Sequence, residues 1–154
     1  MGVVSNIGLY EVAEQWVASI RTVLRFEEFP SVAQESYGMI TKVMHEKGVL
    51  PSSPPFVCYH NADLQQLDVE MGFPIAKELP LEHAQVTCHM IPSRRVVSAL
   101  FQGPYEESDV LLAQIFQWIA EHGYEPEGSI YNSYLNDEER PKEELLTNIG
   151  VVIR

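Results

Sequence analysis

The sequence predicts an α+β protein built from two β-α-β-β units, and three observations carry that prediction. A clear strand, turn, helix, glycine stop and strand run from Val97 to Asn136. The punctuation of that stretch occurs twice: Ser19, Phe26, Glu27 and Glu28 recur 79 positions on at Ser98, Tyr105, Glu106 and Glu107. Beyond the helix the offset becomes 75, which carries Glu46, Gly48, Pro51, Tyr59 and Asn61 onto Glu121, Gly123, Pro126, Tyr134 and Asn136. One change of offset inside a helix accounts for all nine matches, so the second helix is expected to be a turn shorter than the first. The period exceeds that of solenoid repeats, so the two copies, at about 10–75 and 85–153, are read as building one domain over 1–154. The expected architecture is an antiparallel, barrel-like sheet with one helix per copy.

Taken in order, Tyr10 to Leu24 alternates apolar and polar residues and reads as one long half-buried strand. Ser31 with Gln34 gives a capping-box signature behind Pro30, and the helix it opens runs to Lys47 and stops at Gly48. Tyr37, Ile40, Val43 and Met44 fall on one side of it. The prolines from 51 to 55 force an extended turn before a strand at Phe56 to His60. The strand Leu67 to Ile75 puts Leu67, Val69, Met71, Phe73 and Ile75 on one face, with Asp68 and Glu70 on the other.

The second copy opens with Val86, Cys88 and Met90 alternating against Thr87, His89 and Ile91; Pro92 and Ser93 interrupt pairing, and a strand resumes from Arg94 to Gln102. Gly103 and Pro104 turn into a helix with acidic residues at its start and Leu111, Leu112, Ile115, Trp118 and Ile119 as its apolar stripe. Ile130 to Leu135 is the matching strand. Asn136 to Glu144 is a polar loop, and Ile149, Val151 and Ile153 alternate in a closing strand.

With 154 residues, 45% of them hydrophobic, the chain suits a single packed core. It has no apolar run of membrane-spanning length, its N-terminus does not read as a signal peptide, and Asn6 stands where a myristoylation motif wants Ser or Thr. The cytoplasm is the expected location. Cys58 and Cys88 read as free buried thiols rather than a disulfide. Ten basic against 22 acidic residues give a net charge of −12, which repels nucleic acid and favours cationic small molecules or a basic protein partner. No cofactor motif appears, and the five histidines are too scattered to suggest a metal: the adjacent Cys88 and His89 point to opposite faces of a strand.

Aromatic and acidic residues remain as candidates for a binding site. Tyr59 and Tyr134 hold equivalent places in the two copies, and Phe101 and Tyr105 flank the Gly-Pro turn. Aromatic faces bind apolar and cationic groups, and a buried carboxylate supplies the opposing charge. Glu70, in an otherwise apolar strand, is the first choice for that carboxylate, the alternative being a solvent-facing place on the polar side of the sheet.

The segments PPFVCYHN, LDVEMGFPI, VVSALFQGPYEES, WIAEHGYEPEG and YNSYLND followed by EELLT, in that order, resemble the GyrI-like family, the effector-binding domain also found in AraC-type and multidrug-responsive transcription activators. The resemblance runs from about Tyr10 to Ile153, and with no helix-turn-helix segment ahead of it the chain is read as a stand-alone member. It implies a duplicated β-α-β-β fold of the bacterial effector-binding type, a ligand cleft between the copies, and bulky hydrophobic or cationic ligands. In relatives a Glu-x-Tyr pattern supplies the cleft carboxylate; here it reads Asn132-Ser133-Tyr134, so the tyrosine is kept and the acid becomes an amide that both donates and accepts hydrogen bonds. The expected site is therefore Tyr59, Glu70, Phe101, Tyr105, Asn132 and Tyr134, binding a bulky ligand for sensing or sequestration. Two alternatives follow from the same resemblance: a hydrolase that opens strained rings of alkylating compounds, and an inhibitor of DNA gyrase by protein contact. A protein partner would be gyrase or a separate regulator.

Overall fold

The structure, a computed structural model, describes residues 2–154. It is an α+β protein built on antiparallel strand pairs, and its contacts divide it into two compact units. One is continuous, Glu14–Pro92; the other combines Met1–Ala13 with Ser93–Arg154.

The continuous unit runs β3 (Gln15–Leu24), α1 (Phe29–Glu46), β4 (Phe56–Tyr59), β5 (Leu67–Ile75) and β6 (Thr87–Ile91). Its sheet is open rather than closed into a barrel: β5 pairs with β4 on one side and β3 on the other, and β3 carries β6 on its far edge. Residues facing each other across an antiparallel pair share a side of the sheet, and successive residues alternate. Ala18, Ile20 and Ile75 therefore meet Ile40, Val43 and Met44 of α1 in one buried cluster with Leu79 and Val86. The spacing of Ile40, Val43 and Met44 makes a helix stripe, and each fully buried aliphatic side chain contributes about 1.5–3 kcal/mol. Tyr37 ties α1 to β4 by donating its hydroxyl to the Phe56 carbonyl at 2.5 Å. The other side of the sheet holds Ser19, Arg21, Cys58, Asp68, Glu70, Thr87 and His89.

The second unit contains β1 (Gly2–Val3), β2 (Gly8–Val12), β7 (Arg94–Gln102), α2 (Asp109–Glu121), β8 (Pro126–Tyr134) and β9 (Leu146–Ile153). β7 pairs with β1 and β2 along one edge and with β9 along the other, and β9 pairs with β8. Val97, Ala99, Phe101, Ile149, Val151 and Ile153 pack against Leu111, Ile115 and Ile119 of α2. Both helices end at a glycine in the left-handed region, Gly48 at φ 68° and Gly123 at φ 76°, a conformation that lets the chain leave the last turn without a Cβ clash. The helices are 18 and 13 residues long, the second the shorter, as the change of offset predicts.

Two local expectations are corrected. The stretch from Tyr10 to Leu24 is two strands, broken at Ala13 and Glu14, because β2 pairs with β7 whereas β3 pairs with β5 and β6. Ser31 lies inside α1 rather than before it. A short 3-10 turn, Phe26–Glu28, leads into the helix; there the Glu28 carboxylate accepts the Arg25 backbone N–H at 2.9 Å, and Ser31 Oγ donates to the Glu28 carbonyl at 3.2 Å. Neither cysteine forms a disulfide; Cys58 is buried and Cys88 partly so. Among the described residues no helix is long and apolar enough to cross a membrane.

Candidate functional site

Glu70 sits in the middle of β5, between the apolar Val69 and Met71, with its side chain 3% exposed. A carboxylate stripped of water at that depth needs donors, and three side chains supply them. Ser19, on β3, donates Oγ–H to Oε2 at 2.7 Å. His89, on β6, reaches the same oxygen with Nε2 at 2.5 Å, and His60, just past β4, reaches Oε1 with Nε2 at 3.0 Å. The carboxylate is thus gripped from three strand segments. Burial pushes its pKa up, but the hydrogen bonds from His60, Ser19 and His89, with the charge His89 carries when protonated, outweigh it and bring it down to about 2. Glu70 is therefore ionised throughout the physiological range.

Around this carboxylate the other polar groups are already matched. Arg21, directly opposite Glu70 in the β3–β5 register, turns to Asp68 instead, with Nε to Oδ1 at 2.9 Å and Nη2 to Oδ2 at 2.8 Å. That bidentate contact raises the Arg21 pKa and lowers that of Asp68. His60 Nδ1 lies 3.8 Å from Cys58 Sγ, so the imidazole spans from thiol to carboxylate.

The remaining sequence candidates are placed as follows. Tyr59 is opposite Val69, on the α1 side of the sheet and so on the other face from Glu70; its ring is 6.0 Å from that of Phe29. Phe101 is in the helix-side core at 4% exposure. Tyr105 and Tyr134 come together edge to face, ring centroids 5.1 Å apart. Asn132, opposite Ile149, shares the face of Tyr134 and Ile130 and is half-buried. Tyr105 also lines a surface pocket of about 370 Å³ with Glu106, Glu138, Glu139, Lys142 and Leu145. Its hydroxyl pKa is raised by burial and by the charges of Glu138 and Asp137, which keeps it a neutral donor.

Ser19, His60 and His89, the partners of Glu70, are not among the candidates that the sequence marks. The signal available for His89 was its phase: it falls between Cys88 and Met90, as Glu70 falls between Val69 and Met71. Only the β3–β5 and β3–β6 registers bring those two out-of-phase residues together.

The chain belongs to the GyrI-like family: the GyrI-like small molecule binding domain matches residues 6–154. Its fold is similar to that of the EcmrR C-terminal domain, at 21% identity and TM-score 0.84, covering 97% of both chains. In the EcmrR–DNA complex the same comparison spans 57% of the EcmrR chain. A hydrolase from Listeria innocua is similar at 13% identity and TM-score 0.72, covering 97% of this chain and 92% of that one. SAV2435, solved bound to tetraphenylphosphonium, is similar at 8% identity and TM-score 0.69, covering 97% of this chain and 94% of that one. No curated protein sequence matches the chain.

Proposed function

We propose that this chain is a cytoplasmic GyrI-like domain that senses or sequesters bulky hydrophobic compounds, lipophilic cations among them. The observation that carries the reading is Glu70, an ionised carboxylate 3% exposed in a domain of the small-molecule-binding family. A buried carboxylate that its donors hold ionised is well suited to attract a cation that has left water. A net charge of −12 adds a long-range field of the same sign. The edge-to-face pair Tyr105 and Tyr134, beside a pocket with three glutamates, offers ring area and negative charge to the same class of compound. That SAV2435 has been solved with tetraphenylphosphonium makes this cation a natural probe.

The same reading takes the chain as one domain of duplicated units. In support, Ser19 faces Gly72 in one unit and Ser98 faces Gly150 in the other. The strands that start at Gly8 and Gln15 are matched, 79 positions on, by strands that start at Thr87 and Arg94.

The test is a thermal-shift screen with mass-spectrometric recovery of the compound, run on the wild-type protein and Glu70→Gln. Matched cationic, neutral and anionic hydrophobic compounds are used, tetraphenylphosphonium among the cations. A ligand that binds the native state raises its melting temperature by mass action. The expected result is stabilisation by cations, loss of it in Glu70→Gln, and compounds recovered unchanged. Equal stabilisation by anionic compounds would sink the reading, and conversion of a compound would replace it with that of a hydrolase.

A further inference from the structure

The two histidines on Glu70 are not equivalent. His60 uses both ring nitrogens within the unit, Nε2 on Glu70 and Nδ1 beside Cys58, and its side chain is 18% exposed. His89 uses one: Nε2 meets Glu70 Oε2, Nδ1 has no hydrogen-bond partner among the described residues, and the side chain is 45% exposed. His89 also stands on β6, which pairs within its unit only with β3.

An ionised carboxylate only accepts, so each Nε2 on Glu70 must bear the hydrogen. In its neutral form His89 is then fixed as the Nε2–H tautomer, with a lone pair on Nδ1. A carboxylate behind an imidazole fixes the orientation of the ring, as it does for histidines that ligate metals, and places negative charge behind the far nitrogen. The charges facing the cluster do not offset this. Arg21 is bound to Asp68, and Ser19 and Thr87 bring only hydroxyls, so with both rings neutral the negative charge of Glu70 stays on the cluster.

We propose that His89 Nδ1 is the polar contact for the ligand, and that it selects cations carrying an N–H: protonated amines and amidines rather than quaternary cations. The inference rests on the cation reading above and gives it a chemical class. A protonated amine places a hydrogen on the lone pair while its charge approaches Glu70 through the ring, so it gains a charge-assisted hydrogen bond as well as Coulomb attraction. A quaternary cation has no hydrogen to place there and is held farther off by its methyl groups. An anion meets the wrong charge.

The experiment uses a pair of probes that differ in one feature: N,N-dimethyl-3,3-diphenylpropylamine in its protonated form, and its N,N,N-trimethylammonium analogue. Affinities are measured by titration calorimetry at pH 8 on the full chain and on His89→Leu. The protonated amine is expected to bind the wild-type protein about tenfold more tightly, the value of one charge-assisted hydrogen bond. His89→Leu is expected to erase that preference. Equal affinities in the wild type, or a preference that persists in His89→Leu, overturns the inference while leaving the cation reading standing. If neither probe binds, the cation reading fails and this inference falls with it. The wild-type comparison needs no folded variant.

Discussion

Ser19 and Gly72 stand directly opposite each other on β3 and β5, and the strands approach so closely there that a Cβ on Gly72 would lie 2.8 Å from both Cα and Cβ of Ser19. The same atom would meet the Ala18 carbonyl oxygen at 2.1 Å. Since Ser19 Oγ is one of the donors on Glu70, the missing side chain at 72 also keeps the donor in place. Gly72→Ala must push the two strands apart. Its expected cost is about 2–4 kcal/mol, the range of overpacking and backbone displacement in a core, read as a lower denaturant midpoint. A loss under about 0.5 kcal/mol, the usual size of a surface change, would show that the strands yield there without strain.

Acid should act on the protein through Glu70. Its pKa in the folded state, about 2, lies below the ordinary 4.5, so its contribution is complete above 4.5 and is lost as the pH falls toward 2. Protonation over that window should remove on the order of 3 kcal/mol of stability. Glu70→Gln should flatten this part of the stability profile, measured by urea unfolding at successive pH values. A variant with the wild-type slope between pH 4.5 and 2 would place the acid sensitivity on other carboxylates.

Tyr134→Ala is expected to weaken binding of a hydrophobic cation by about 1–3 kcal/mol if its ring, edge to face with Tyr105, is a desolvated anchor. Calorimetry with tetraphenylphosphonium reads this directly. Unchanged affinity in a folded variant removes Tyr134 from the site.

Asn132→Glu places an acid two residues before Tyr134, as the Glu-x-Tyr pattern implied by the family resemblance would have it. Asn132 shares its sheet face with Tyr134, so the new charge should raise affinity for a cation over its neutral isostere by about tenfold, at some cost in stability because the position is half-buried. An unaltered cation-to-neutral ratio means that residue 132 does not contact the ligand.

Much of this fold was legible because periodicity and punctuation agree. Leu67–Ile75 alternates over its whole length, Gly48 and Gly123 mark helix ends, and the apolar residues of α2 recur at helical spacing. What stayed hidden was pairing. Alternation shows which residues share a face of one strand but not which strands lie side by side, so the break at Ala13 and Glu14 was invisible until β2 was seen on β7. The same limit governed the site. Glu70 could be picked out as an acid in an apolar strand, yet its donors come from positions 51, 10 and 19 residues away, joined by register alone. Phe101 reads equally well from sequence as core or as a ligand wall, and its place beneath α2 depends on tertiary packing.

The division of the chain also sets an order of assembly during synthesis. Glu14–Pro92 is continuous, so Glu70 and the three side chains that bond it, Ser19, His60 and His89, have all left the ribosome once residue 92 has emerged. Residues 8–12 are made earlier but wait for β7, some 86 positions downstream, before they find a partner. Long-range pairing of this kind is slow, because the chain between must be closed first. The segment that carries the buried carboxylate can therefore form while residues 8–12 still lack their partner strand.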